Sequence, residues 1–167
     1  MFDYELERLM NTYGDYIARI CYIYLKNKTL AEDATQEVFI NAYIWMNDFR
    51  QECSEKTWLT SIAINVCKGY LRANWQRRVQ IGIERMQGYD TTEGDLEIRI
   101  ANTEILKKVM NLKIKYREII LLYYYQDLKV NEIADMLKIS QSSVKMRLKR
   151  ARTKLKEDFE EEEYIYG

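Results

Sequence analysis

The sequence predicts an all-α protein, and three observations carry that prediction. No proline interrupts its 167 residues, few short apolar runs look like strands, and apolar residues recur at three- and four-residue intervals over most of the length. At 47% hydrophobic residues the chain is normal for a globular protein and can bury one ordinary core or two small ones. Periodicity fades from about Val79 to Arg99, where glycines fall at 82, 88 and 94 and the stretch 90–95 is acidic and turn-rich. The expected layout is two small helical domains, residues 1–78 and 101–158, joined by a flexible linker over 79–100 and followed by an acidic tail at 159–167.

The first helix is predicted from Tyr4 to Lys26, where Leu6, Leu9, Tyr13, Ile17, Ile20 and Tyr24 repeat at helical intervals. That is a core-facing stripe. The chain turns at Asn27-Lys28, and Thr29 is of a type that caps the following helix, LAEDATQEVFINAYIWM. On a wheel, Ala31, Val38, Ala42, Trp45 and Met46 form a broad buried side, while Ile40 and Ile44 emerge elsewhere beside Asp33, Gln36 and Glu37. A second, mixed stripe of this kind needs a partner. It is either a protein-binding surface formed by Asp33, Gln36, Glu37 and Ile40, or a face covered by a neighbouring helix of the same domain. Asp33 and Glu37 stand four residues apart, but without a histidine or a second carboxylate motif they make a poor acid/base or metal pair.

A polar, loop-like segment follows from Phe49 to Lys56, then a helix from about Glu55 to Asn74 with Trp58, Leu59, Ile62, Ala63, Val66 and Leu71 apolar. Its end gathers Lys68, Arg72, Arg77 and Arg78 around Tyr70 and Trp75. Flat rings can accept unstacked bases while cations hold phosphates. Cations are also favoured at any helix C-terminus by the dipole, so both readings stand at this point.

From Tyr116 to Leu155 the sequence reads as three successive helices, the last two a helix-turn-helix. KYREIILLYYYQ carries Ile119, Ile120, Leu122 and Tyr123 at helical spacing, a break follows at Asp127-Leu128, and NEIADML turns inward Ile133, small Ala134 and Leu137. Lys138-Ile139-Ser140 turns the chain, and Ser140 is a good N-cap for SSVKMRLKRARTKLK. At about 100° per residue, Val144, Leu148, Ala151 and Leu155 fall on one narrow stripe. The opposite arc holds Ser142, Lys145, Met146, Lys149 and Arg150, with Arg147 and Arg152 on its flanks. A thin rod with an apolar back and long donor side chains is what reading a major groove requires. A solvated basic face is the alternative, and the short preceding helix, the turn and inward Ala134 count against it.

Formal charges balance, with 26 Lys+Arg against 26 Asp+Glu, yet they are segregated along the chain. Residues 140–156 hold seven basic residues and no acid, whereas 157–167 hold six acids and no base. Residues 1–66 sum to minus four, and 67–80 contribute four positive charges. Histidine is absent, which removes the commonest general base and metal ligand. Three cysteines at 21, 53 and 67 have no metal-ligand spacing, and their odd number fits a reducing compartment better than a disulfide framework. No run of 18 apolar residues exists, and the opening MFDYELERL is too acidic for a signal peptide. The expectation is a non-enzymatic, cytoplasmic protein that needs no cofactor and does not insert into membranes.

The blocks AEDATQEVFINAY, FRQECSEKTWLTSIAINVCKGYLR, YREIILLYYYQDLKVNEIADML and SSVKMRLKRAR occur in an order and spacing that resemble the extracytoplasmic-function (ECF) sigma factors of bacterial RNA polymerase. The resemblance covers nearly everything except the linker and tail. It implies that the helix over Leu30 to Met46 docks on the clamp helices of the largest polymerase subunit through Asp33, Gln36 and Glu37. It further implies that Phe49 and Asn65 help hold a base flipped from the minus-ten element, with Lys68, Arg72, Arg77 and Arg78 on the backbone nearby. The helix-turn-helix would read the minus-thirty-five element through Lys145, Met146, Lys149 and Arg150, with Arg147 and Arg152 on phosphates. The flap of the second-largest subunit, promoter DNA and an anti-sigma factor, often membrane-anchored in that family, are the other implied partners.

Two departures from the family pattern stand out. Lys145 occupies a place where many members have arginine, and Met146 one where a small polar residue is common; lysine lacks the forked contact with guanine. The acidic tail lies outside the shared pattern and is expected to be frayed and solvated, weakening non-specific DNA binding by competing for the basic helix. A stand-alone helix-turn-helix regulator is the alternative function. It would need a ligand or receiver domain upstream, and residues 1–78 show no alternating βα pattern.

Overall fold

The computed structural model describes residues 2–81 and 104–166, and these contain helices and turns with no strand. The expected flexible linker over 79–100 lies largely outside the described residues. Contacts divide the chain into two compact units, 1–98 and 99–167.

In the first unit, α1 (Phe2–Leu25), α2 (Lys28–Trp45) and α3 (Glu55–Ile81) pack against one another. The predicted stripe of α1 is buried at Leu9, Ile17, Ile20 and Tyr24, and the run Cys21–Leu25 is buried at every position. That end of α1 is therefore enclosed on all sides, as only tertiary packing can make it. Lys26 stops the helix in the left-handed region with φ 53. Asn27, extended at φ −141, then caps α2 by accepting the Leu30 amide at 2.9 Å. The cap is thus Asn27 and not Thr29, because the helix begins two residues earlier than its apolar pattern and Thr29 lies inside the first turn.

A 3₁₀ turn at Met46–Asp48 leads to the loop before α3, whose first turn is capped by Ser54 Oγ accepting the Thr57 amide at 3.1 Å. Arg8 of α1 holds that end in place by bridging Glu5 and Glu55, the latter at 2.6 Å. The helix does not stop at Asn74. No proline or glycine occurs between Gly69 and Gly82, so α3 continues to Ile81 and the expected domain end at residue 78 falls inside it. Cys21 and Cys67 are buried, and a hydrogen bond between the two thiols, with burial, pushes the Cys67 pKa up, away from nucleophilic use.

The second unit is built from α4 (Glu104–Asn111), α5 (Ile114–Ile120), a π-helical turn (Leu121–Tyr125), α6 (Val130–Leu137) and α7 (Gln141–Tyr166). Its core joins Val109, Leu112, Tyr116, Ile120 and Ala151, with Leu155 packed against them. Buried Arg117 donates to the carbonyls of Met110 and Leu112 at 3.3 and 3.0 Å, tying the end of α4 to α5. Asp127 at φ 52 makes the predicted break. Lys138 at φ 56 makes the turn of the helix-turn-helix, and the Ile139 amide returns to the Ala134 carbonyl at 3.1 Å. Ser140 Oγ accepts the Ser143 amide at 3.1 Å, as expected of the cap.

The acidic end is a helix and not a frayed tail: α7 runs unbroken to Tyr166, past the expected domain end at 158. Lys108 supplies a reason, donating to the Asp158 carbonyl at 3.2 Å and lying over the Phe159 ring at 4.6 Å, so the start of the acidic segment is fastened to α4. A continuous rod cannot fold its acids back over its own basic turns, which removes the expected direct competition for the DNA-reading residues. No described helix is long and apolar enough to cross a membrane, and no described cluster could hold a metal ion.

Candidate functional site

Two separate surfaces lie in the first unit. On α2, Asp33, Gln36, Glu37 and Ile40 are all exposed, Ile40 at 58% and Ile44 at 61%. Among the described residues no helix of this unit covers the second stripe, which counts against the intramolecular alternative for that face. Trp45, expected in the core, is 44% exposed. The end of α2 overhangs a groove between α2 and α3, so a residue on the core azimuth lines that groove instead.

The groove, about 430 Å³, is lined from α2 by Glu37, Asn41 and Trp45 and from α3 by Ile62, Asn65, Val66, Gly69, Tyr70 and Ala73. Burial raises the Tyr70 pKa, and the Glu37 carboxylate, accepting a hydrogen bond from its hydroxyl, raises it further. Glu37 therefore belongs to the groove as well as to the exposed face. Phe49 does not reach this groove wall; it stacks on Trp58 with centroids 4.5 Å apart and planes at 20°. Trp58, Ile62 and Asn65 share a face of α3, with Trp58 and Asn65 about 10 Å apart by helix rise, so Phe49, stacked on Trp58, lies toward the start of the helix from Asn65.

Helical geometry sorts the cations of α3. Asn65, Lys68, Arg72 and exposed Trp75 fall within one arc bordering the groove, together with Val79, exposed because the helix continues past Asn74. Arg78 lies off its edge. Arg77 falls opposite that arc, in line with the groove-lining residues Val66, Tyr70 and Ala73, so these four cations do not form a single patch.

In the second unit the apolar stripe of α7 is buried at Val144, Leu148 and Ala151, as predicted. Ser142, Lys145, Met146, Lys149 and Arg150 are exposed on the other side. The flanking arginines have partners within the unit. Arg147 lies 3.6 Å from the carboxylate of buried Glu118 on α5. Arg152 donates from Nε to the Tyr124 hydroxyl at 2.7 Å and sits over the Tyr123 and Tyr124 rings at 5.5 and 5.6 Å. Both fix α7 against α5 and the π-helical turn before any phosphate is considered.

One apolar surface escaped the sequence reading. Ile105, Val109, Ile120, Tyr124, Tyr125, Arg152 and Leu155 line a groove of about 380 Å³ on the far flank of α7. The signal for it was the run Tyr123-Tyr124-Tyr125: three consecutive helical residues span about 200°, more than one core stripe can bury. Tyr124 and Tyr125 are indeed 50% and 41% exposed.

Comparison with known proteins assigns each unit. Residues 9–77 match the family model of Sigma-70 region 2, and residues 103–155 match that of Sigma-70, region 4. The chain is 31% identical to the ECF RNA polymerase sigma factor SigW of Bacillus subtilis (strain 168), across 89% of this chain and 85% of that protein. It is 29% identical to SigM of the same organism, across 90% and 93%. Among solved structures, the sigma factor RpoE from Bartonella quintana, in complex with the anti-sigma factor NepR, superposes with a TM-score of 0.73 at 20% identity, covering 94% of this chain and 96% of that one. CnrH, in complex with the cytosolic domain of CnrY, gives 0.64 at 20% identity, covering 95% and 89%; both share the fold. With both regions matched in order and a relative similar along most of its length, this chain belongs to the ECF RNA polymerase sigma factors.

Proposed function

We propose that this protein binds core RNA polymerase through the exposed face of α2 and directs it to promoters by two readers, α3 with its groove and α7. The observation that carries the reading is the pair of unlike bare surfaces. One is acidic and apolar, suited to a protein, and the other is cationic, suited to a polyanion. Asp33, Gln36, Glu37 and Ile40 make the polymerase contact. Asn65, Lys68 and Arg72 face the opened minus-ten strand, with Phe49 further along the same side and Arg77 and Arg78 on the outer backbone. Ser142, Lys145, Met146, Lys149 and Arg150 enter the groove of the minus-thirty-five element.

Neither unit alone offers enough phosphate contacts for tight binding at cellular salt. Holding both on one polymerase raises the effective concentration of each for its element, so selectivity requires both elements and their spacing. Extruding the first base costs a few kcal/mol, which pocket contacts and the polymerase offset. No covalent step falls to this chain. A cytoplasmic location follows from the work itself, and an anti-sigma protein covering the α2 face is the fitting means of control. A stand-alone regulator would not need an uncovered Ile40 and Ile44.

Multi-round transcription on a cognate promoter with core polymerase, with and without this chain, tests the reading. Initiation only when the chain is present supports it, and equal, equally accurate initiation without it overturns it.

A further inference from the structure

Beside the recognition face of α7, three exposed cations from two helices converge on one buried ring. Lys115 of α5 lies 5.0 Å from the centroid of Tyr116, and Lys154 of α7 lies 5.7 Å from it. Arg150, one turn before Lys154 on the same side of α7, and Lys115 both lie near enough to the Tyr116 hydroxyl to favour its ionised form. Burial alone would raise the Tyr116 pKa, yet these two cations outweigh it and hold the phenol below its ordinary value. None of Lys115, Arg150 and Lys154 pairs with a carboxylate among the described residues. The nearby Glu118 is held by Arg147, and Glu157 and Asp158, one turn past Lys154, form no ion pair with it.

Bringing three like charges together around a neutral ring is unfavourable unless an anion completes the set. The flank of a rod in the major groove is where groove-wall phosphates lie, and phosphate contacts fix the angle of the rod without reading sequence. We propose that Lys115 and Lys154 clamp one DNA phosphodiester between α5 and α7, and that the Tyr116 hydroxyl positions Arg150 beside it. Lys115 and Lys154 are neither on the recognition arc nor among the residues that the family resemblance marks for DNA. The inference rests on the DNA-reading role proposed for α7.

The test is equilibrium binding of the full chain to a labelled random-sequence duplex across a potassium chloride series, for Lys115→Gln, Lys154→Gln, Tyr116→Phe and, as a control, Lys107→Gln on α4. Each clamp substitution should lower the magnitude of the log K against log salt slope by about 0.9, the value for one lost phosphate contact on B-DNA, with no change in helicity. Lys107→Gln should leave the slope at the wild-type value. Tyr116→Phe, which keeps the ring, should weaken binding with a smaller loss of slope. Wild-type slopes for both Lys115→Gln and Lys154→Gln would overturn the clamp, as would an equal loss for Lys107→Gln. Wild-type protein that binds no duplex and supports no initiation by core polymerase would instead remove the reading beneath it.

Discussion

The outer face of α2 and the outer face of α7 solve the same geometric problem with opposite chemistry. Each helix buries one stripe and leaves another bare, yet α2 leaves Ile40 and Ile44 more than half exposed beside Asp33 and Glu37. The face of α7 exposes lysines and arginines with Met146 as its one large apolar residue. Apolar area kept in contact with water is unfavourable unless a protein partner removes it, whereas long cations remain well solvated until a polyanion replaces their counterions. Charge sign and apolar exposure together therefore assign the partner to each helix.

The comparison is broken most severely by reversing the sign on α2. Asp33→Lys with Glu37→Lys should reduce retention on core polymerase by about 30-fold or more, in line with the 2–5 kcal/mol seen when close charge pairs at interfaces are disrupted. The melting of the protein should change little, since both side chains are exposed. Undiminished co-purification with polymerase would take the contact away from this face. Next come paired truncations on the two helices. Leu148→Ala, on the buried side of α7, should destabilise the second unit by about 2–5 kcal/mol, and Ile44→Ala should shift stability by less than about 0.5 kcal/mol while still weakening polymerase binding. A chemical denaturation series on both variants checks this, and similar losses for the two would erase the distinction between core and docking stripe. The smallest effect is at the flank. Arg147→Gln removes one cation from beside the buried Glu118 carboxylate and should cost about 1–3 kcal/mol, while the salt dependence of DNA binding stays near wild type because Arg147 serves the fold. A lower slope with unchanged stability would return Arg147 to the phosphates.

Much of this was legible beforehand wherever the cause is local. Ser140 and the Lys138 turn mark the start of α7 because capping and left-handed geometry depend on a few adjacent residues. The stripe Val144, Leu148 and Ala151 follows from helical period alone. Elsewhere the local signal was present but outweighed. Asn27 and Thr29 are both capping types, and the choice went to Asn27 because its backbone is the extended one. Trp45 lies on the core azimuth of α2, but α2 and α3 part there and leave a groove. The acidic end has a charge pattern suggesting a loose tail, yet Lys108, some fifty residues earlier, secures its first turn.

By itself the sequence determined an all-helical chain, the position of the helix-turn-helix and the chemistry of each outward face, since periodicity, capping types and charge are properties of neighbouring residues. Only the tertiary structure decided which outward groups are already engaged: Arg147 by Glu118 and Arg152 by Tyr124. Each of these pairs joins residues about thirty positions apart. Whether such groups meet is settled by how α5 and the π-helical turn pack against α7, and no short-range rule contains that information.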